Sequence, residues 1–305
     1  ILARKGDADA RRYYYAPRAR HLQCVFWKVW QGIDTDAPST SRGGSDLDNG
    51  SVVMPADTPD VCVGSKGCPT DETVKRVVCR LVQKCQSLAA GRRNAERIRK
   101  LHNYLTAYTC LCEMFCGGIR AVDDPVDLTL FDPDTRLLQV SDKDSNSYHA
   151  SRVVPILGVF FQQLEAYSDH LVAMRRYFQK EEKKREKRTG QKKSGDQRKL
   201  PTDRMYFLLS SGKWERVTVA SMRRILGPTY PIRLNAQRHW MRTRLRELNA
   251  PVHAIDALLG HGALGQEPYA GYSAYSPGQL RDELKEPIRK LAGIAGWRVV
   301  RGLTA

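Results

Sequence analysis

Between Thr70 and Gly91 the apolar residues fall at Val74, Val77, Val78, Leu81, Val82, Cys85 and Leu88. Steps of three and four place them on one stripe of an amphipathic helix, which Pro69-Thr70 opens and Gly91 closes. A second stripe follows at Ile98, Leu101, Leu105, Tyr108, Cys112 and Phe115, and ends at Gly117-Gly118. Strand-like runs come next, at 126–131, 136–140 and 148–154. The last two are joined by Ser141-Asp142-Lys143-Asp144-Ser145-Asn146-Ser147, which is rich in turn formers. Phe160, Leu164, Tyr167, Leu171, Met174 and Phe178 mark a long helix, and further helical segments fall at about 217–226, 236–248 and 252–259. From Pro277 the tail reads as one more helix with a basic end. There is no internal repeat. The order of helices, strands and helices predicts a mainly α domain with a small antiparallel β-sheet.

Residues 1–70 differ in character. An aromatic and basic start, Arg11-Arg12-Tyr13-Tyr14-Tyr15 and then Val25-Phe26-Trp27-Lys28-Val29-Trp30, gives way to a Pro/Ser/Gly/Asp-rich stretch at 34–69. This reads as an N-terminal arm and linker. The aromatic part either packs as an arm or stacks on bases, and packing is the plainer reading. The chain opens on Ile1, so we expect a fragment with a further domain upstream.

Of 305 residues, 50 are Lys or Arg and 33 are Asp or Glu, a formal charge of +17. Such an excess calls for an anionic partner, nucleic acid or an anionic membrane face. A hydrophobic content of 41% supports a real core and argues against a disordered basic tail. No apolar run approaches the ~20 residues of a membrane span and no signal peptide is legible, so we expect a soluble, cytoplasmic protein. The eight cysteines (Cys24, Cys62, Cys68, Cys79, Cys85, Cys110, Cys112, Cys116) form no CxxC pair and no zinc-site spacing. We read them as buried free thiols of a reducing compartment and expect neither metal nor cofactor. The block at 180–199 carries ten Lys/Arg against four acids, a solvated face that could also lie along phosphates without reading sequence.

The sharpest local signal is Asn235-Ala-Gln-Arg238-His239-Trp240-Met241-Arg242, followed by Leu258-Leu259-Gly260-His261. On a helix, Met241, Leu245 and Leu248 form the buried stripe and Arg238 starts it, a costly place for an arginine that meets no anion. Gly260 is placed to end the next helix, so His261 is expected to project past that end instead of sitting in a core. The plainer readings are a structural salt bridge for Arg238 and a surface position for His261. A Tyr-rich segment follows, with Tyr269, Tyr272 and Tyr275.

Over residues 72–280 the sequence resembles the tyrosine recombinases, or phage-type integrases. In that family an H-x-x-R-H box precedes an L-L-G-H box and then a nucleophilic tyrosine. Asn235-x-x-Arg238-His239 and Leu258-Leu259-Gly260-His261 match these boxes, with Asn235 where the family usually has His. The family's first arginine follows an apolar helix and a glycine turn, the place of Arg120 in Cys116-Gly117-Gly118-Ile119-Arg120. Its lysine lies on a turn between two strands, as Lys143 does in Val140-Ser141-Asp142-Lys143-Asp144-Ser145. The usual tyrosine spacing falls on Ala270, so Tyr272, Tyr269 and Tyr275 are the candidates, in that order of preference.

The resemblance implies that residues 71–305 form a DNA breaking and rejoining domain, with 1–70 an arm or the remnant of a core-binding region. Arg120 and Arg238 would clamp the scissile phosphate through forked hydrogen bonds. A tyrosine would attack to give a covalent 3′-phosphotyrosine, and Lys143 would protonate the leaving 5′-oxygen. His261 and Asn235 would orient the phosphate or assist proton transfer. Arg152 and His149 read as neighbours of the site. The implied protein is a site-specific recombinase of a mobile element, acting on double-stranded DNA near a bacterial nucleoid and assembling as a tetrameric synapse. The alternatives are a non-catalytic DNA-binding protein with the same fold and, further off, a type IB topoisomerase-like enzyme.

Overall fold

The computed structural model describes residues 67–91, 94–142, 151–189, 200–261 and 275–304. Helix α1 (Asp71–Ala89) starts where the Thr70 side chain accepts from the Thr73 amide, and it buries Val74, Val77, Val78, Leu81, Val82 and Cys85. Helix α2 (Ala95–Gly117) is capped by Asn94, whose side chain accepts from the Arg97 amide at 2.8 Å. From Leu105 to Gly117 every residue of α2 is buried. A helix enclosed on all sides is the axis of a fold, and α1, α3 (Val159–Thr189) and β4 (Tyr206–Leu208) all pack against α2.

Between α2 and α3 lies a three-stranded antiparallel sheet of β1 (Phe131–Asp132), β2 (Leu137–Ser141) and β3 (Ser151–Pro155). Its register sets Leu138 opposite Val154, Val140 opposite Arg152 and Ser141 opposite Ser151. The strand expected at 126–131 shrinks to the two residues of β1. Asp127 accepts from the Thr129 amide and winds Leu128–Leu130 into a 3₁₀ turn instead. A second hairpin, β4 with β5 (Trp214–Arg216), was not anticipated. Its outer strand edge is satisfied by Asn103 of α2, which donates to the Leu208 carbonyl at 2.9 Å and accepts from the Leu208 amide at 2.7 Å.

Helix α3 runs 31 residues to Thr189, so the first half of the basic block is helical, with Lys183, Lys184 and Lys187 exposed. Four more helices follow in α4 (Val219–Leu226), α5 (Ala236–Glu247), α6 (Val252–Leu259) and α7 (Pro277–Ala295). The end of the chain is an extended strap. Tyr108 donates to the Arg298 carbonyl at 2.6 Å, and Gln163 both accepts from Val300 N (2.7 Å) and donates to Val300 O (3.2 Å). The coarse expectation of a mainly helical chain with a small antiparallel sheet therefore holds. Among the described cysteines Cys85, Cys110, Cys112 and Cys116 are buried free thiols, but Cys79 is exposed and Cys68 half-buried. No described helix is long and apolar enough to cross a membrane.

Candidate active site

Two helices end against each other, and both ends need glycine. Gly118 after α2 and Gly260 after α6 adopt left-handed backbone, with φ of 58° and 63°. A Cβ on Gly118 would lie 2.5 Å from Leu259 Cδ2, and one on Gly260 would lie 3.2 Å from Arg152 Cδ. The convergence leaves the carbonyls of Gly118, Leu258 and Leu259 without helical partners, at the negative ends of two helix dipoles.

Arginines take these carbonyls. Arg238, fully buried on the first turn of α5, donates to Gly118 O and, at 2.7 Å, to Leu259 O. Arg152 on β3 donates from Nε to Leu258 O at 3.0 Å and from Nη2 to Gly118 O at 3.2 Å. Arg238 thus begins a core stripe as expected, and what it meets is helix-end carbonyl and imidazole. Its neighbours on α5 bind the same loop: Gln237 donates to Ile119 O at 2.9 Å, and Asn235 Oδ1 accepts from the Ala121 amide at 2.8 Å. The start of α5 therefore shapes the turn that presents Arg120.

Asp142, just past β2, sits between Arg120 and Arg152. Its Oδ2 accepts from the Arg120 amide at 2.7 Å and from Arg152 Nη2 at 2.9 Å; its Oδ1 accepts from Arg152 Nη1 and lies 3.4 Å from Arg120 Nη1. Burial would raise this carboxyl. The hydrogen bonds and charge of Arg152, with the Arg120 amide, outweigh burial and hold it below the ordinary carboxylate value. Arg120 itself keeps a quarter of its side chain exposed and forms the solvent edge of the cluster.

His261 lies just past α6, as expected, but it is only 6% exposed, which corrects both the projecting and the surface reading. Its amide returns to the Asp256 carbonyl at 2.8 Å, the hydrogen bond of a left-handed helix cap, and this turns the ring inward. Nε2 lies 3.0 Å from Arg238 Nη2, and Nδ1 lies 3.3 Å from Arg242 Nη1. Arg242 is one helical turn beyond Arg238 and donates to Asp256 at 2.7 Å. Burial, then the charges of Arg238, Arg242, Arg120 and Arg152, push the His261 imidazole down to about 2. It is neutral at pH 7.

Of the residues singled out in the sequence, Arg120, Asn235, Arg238 and His261 thus meet in one cluster, drawn from three separate stretches of chain. Lys143, Tyr269 and Tyr272 lie outside the described residues, though Lys143 directly follows Asp142. Tyr275 is tied elsewhere: its hydroxyl donates to Glu283 at 2.7 Å and its ring stands edge-on to His253. Sequence reasoning missed Arg242, Asp142 and Asp256, and it set Arg152 aside as a neighbour. Arg242 had a signal, four residues after Arg238 on the same helix face.

Among the described residues the cluster joins four guanidiniums to two carboxylates, with its histidine neutral. Two formal positive charges remain, partly offset by the helix ends. The forked donors of Arg152 and Arg238 are engaged with backbone carbonyls and, for Arg152, with Asp142, so Arg120 is the guanidinium this cluster turns toward solvent. No protein-family model matches this chain, and no curated protein or solved structure matches it.

Proposed function

We propose that the chain is a tyrosine-type DNA strand transferase, a site-specific recombinase that cuts and rejoins double-stranded DNA through a 3′-phosphotyrosine. The observation that carries this reading is the meeting of Arg120, Arg238 and His261 around two converging helix ends, in the roles the resemblance gives them. The tyrosine hydroxyl forms a bond to phosphorus as the bond to the 5′-oxygen breaks. That oxygen takes its proton from Lys143, and the tyrosine proton passes to solvent; His261, held between Arg238 and Arg242, orients the cluster and is too weak a base to take it. The energy of the broken ester is kept in the new one, so rejoining needs no nucleotide. Arg120 meets the phosphate first because it faces solvent, and contact with fully buried Arg238 requires the site to open. The developing charge on the equatorial oxygens is what the two forks stabilise, each by a few kcal/mol.

Asn235 is better assigned to holding the Ala121 amide than to moving a proton. That observation favours the second reading, a non-catalytic DNA-binding protein of the same architecture. A nicked duplex that loses its 5′ fragment on cleavage distinguishes the two, because it traps the covalent complex. The recombinase gives a denaturant-resistant protein–DNA adduct that disappears in Arg120→Gln. Tight duplex binding without adduct on any substrate supports the binding protein.

A further inference from the structure

We propose that Arg152 is the positioning residue of this site: by locking Asp142 it fixes the Arg120 turn. The proposal rests on the reading of the site as a recombinase centre, and it gives a role to a residue that reading leaves without one.

Arg152 uses its donors on three other segments of chain. Nε reaches the end of α6 at Leu258 O, and Nη2 reaches the end of α2 at Gly118 O. Nη1 and Nη2 together grip both oxygens of Asp142 at the end of β2. The forked grip is the geometry that guanidinium has and ammonium lacks. Both partners are buried, Arg152 8% and Asp142 1% exposed in their side chains, so the pair is little screened and is held in one arrangement. Val140 pairs with Arg152 and Ser141 with Ser151 across β2 and β3. The Asp142–Arg152 pair therefore ties the residue after β2 back onto β3.

Asp142 passes this order on. Its Oδ2 also accepts from the Arg120 amide, so the carboxylate that Arg152 holds sets where the Arg120 backbone lies. With its donors directed at carbonyls and a carboxylate, Arg152 is turned away from substrate; it acts through Asp142. The same guanidinium explains the glycine of Leu258-Leu259-Gly260-His261. A side chain at Gly260 would be strained by its φ of 63° and would press on Arg152 Nη1 at 3.3 Å.

The test uses the full chain with Arg152→Gln, Arg152→Lys and the neutral double variant Arg152→Gln/Asp142→Asn, each first shown to melt cooperatively. Two readouts are taken: single-turnover cleavage of the nicked duplex at saturating protein, and amide exchange at Arg120. We expect cleavage to fall about 100-fold in Arg152→Gln, as a misplacement near 1 Å would cause. DNA affinity and its salt dependence should stay as in the wild type, because no phosphate contact is removed. Arg152→Lys should not restore the rate, because it keeps the charge and loses the fork. The double variant should be no slower than Arg152→Gln, which marks the two residues as one unit. Arg120 amide exchange should quicken at least about tenfold while α7 amides stay protected. Should Arg152→Gln not fold, the double variant carries the same two readouts without a buried unpaired carboxylate. Wild-type cleavage rates and unchanged Arg120 exchange in the variants would overturn the proposal. If the wild type gives no adduct, the recombinase reading fails, and the exchange of Arg120 alone decides whether Arg152 positions it.

Discussion

On the first third of α2, His102 meets His170 of α3; beyond its last turn, Gly118 meets Arg152 and Arg238. Both clusters are buried, both join distant segments of chain, and both contain histidines pushed far below their ordinary pKa. Their donors are arranged differently. In the first, Leu303 N–H donates to His170 Nδ1 (2.9 Å), His170 Nε2–H to His102 Nδ1 (3.1 Å) and His102 Nε2–H to the Tyr206 carbonyl (3.0 Å). An amide can only donate and a carbonyl only accept, so both tautomers are fixed, both imidazoles are neutral, and the chain of bonds is closed. The second cluster carries surplus cation and has an arginine at its solvent edge. A closed neutral relay ties a fold together. A cationic cluster with an arginine at its solvent edge is what the proposed strand transferase would use to receive a phosphate.

The largest expected effect separates the two regions most sharply. Arg238→Gln removes the guanidinium that the proposed mechanism brings to the phosphate when the site opens, and it frees two helix-end carbonyls. Cleavage should fall about 1,000-fold and stability by about 2 kcal/mol, read by adduct formation and a denaturant melt. His170→Leu should cost a similar 2 kcal/mol or so in stability while DNA affinity is unchanged. Loss of DNA binding in His170→Leu, or none in a charge-reversed Arg120→Glu, would dissolve the contrast.

Acid should weaken both clusters together. His102 is pushed down to about 3 and His261 to about 2, chiefly by burial, from an ordinary 6.5. The unfolded chain therefore binds a proton that the folded chain refuses. Their stabilisation is full above pH 6.5 and is lost as pH falls below it, by up to about 1.4 kcal/mol per pH unit for each group. Melts at pH 7, 5.5 and 4.5 read this slope. His261→Asn should flatten it partly, and the same change at His102 should flatten it by a comparable amount.

The smallest effect comes from a group of α2 that lies between the two regions. Glu113 is fully buried, and among the described residues neither carboxyl oxygen has a hydrogen-bond partner. Burial raises its pKa well above the ordinary value, so the folded chain keeps it protonated. Because the unfolded chain ionises it near 4.5, its effect on stability worsens as pH rises above that value. Glu113→Met should therefore stabilise at pH 7 by about 1–3 kcal/mol. A destabilised variant would mean that the carboxyl has a partner.

The two regions were legible to different degrees. The stripes of α1 and α2 could be read because helix periodicity is a local property, and the glycine ends of α2 and α6 because left-handed caps have a residue signature. Arg120, Arg238 and His261 could be linked only through motif spacing. Arg152 and Asp142 escaped because their partnership depends on the β2–β3 register, which no single segment encodes. Asp256, a carboxyl within the apolar run Ala254-Ile255-Asp256-Ala257-Leu258, was a visible sign of a buried partner that went unread. The β4–β5 hairpin escaped because three-residue strands are too short to show a period, and its edge is satisfied by a side chain of α2. The relay of His102 and His170 gave no sequence signal, since its members lie 68 residues apart on two helices.

The most direct test of the recombinase reading is the identity of the residue that carries DNA. The adduct trapped on a nicked duplex is digested, and the DNA-bearing peptide is identified by mass spectrometry. Attachment at Tyr272, lost in Tyr272→Phe while duplex binding persists, is the expected result. Attachment at Tyr269 would move the nucleophile within the same mechanism. No adduct at any tyrosine, with intact duplex binding and an intact Arg120–Arg238–His261 cluster, would contradict the strand-transferase reading and leave a protein that holds DNA without cutting it.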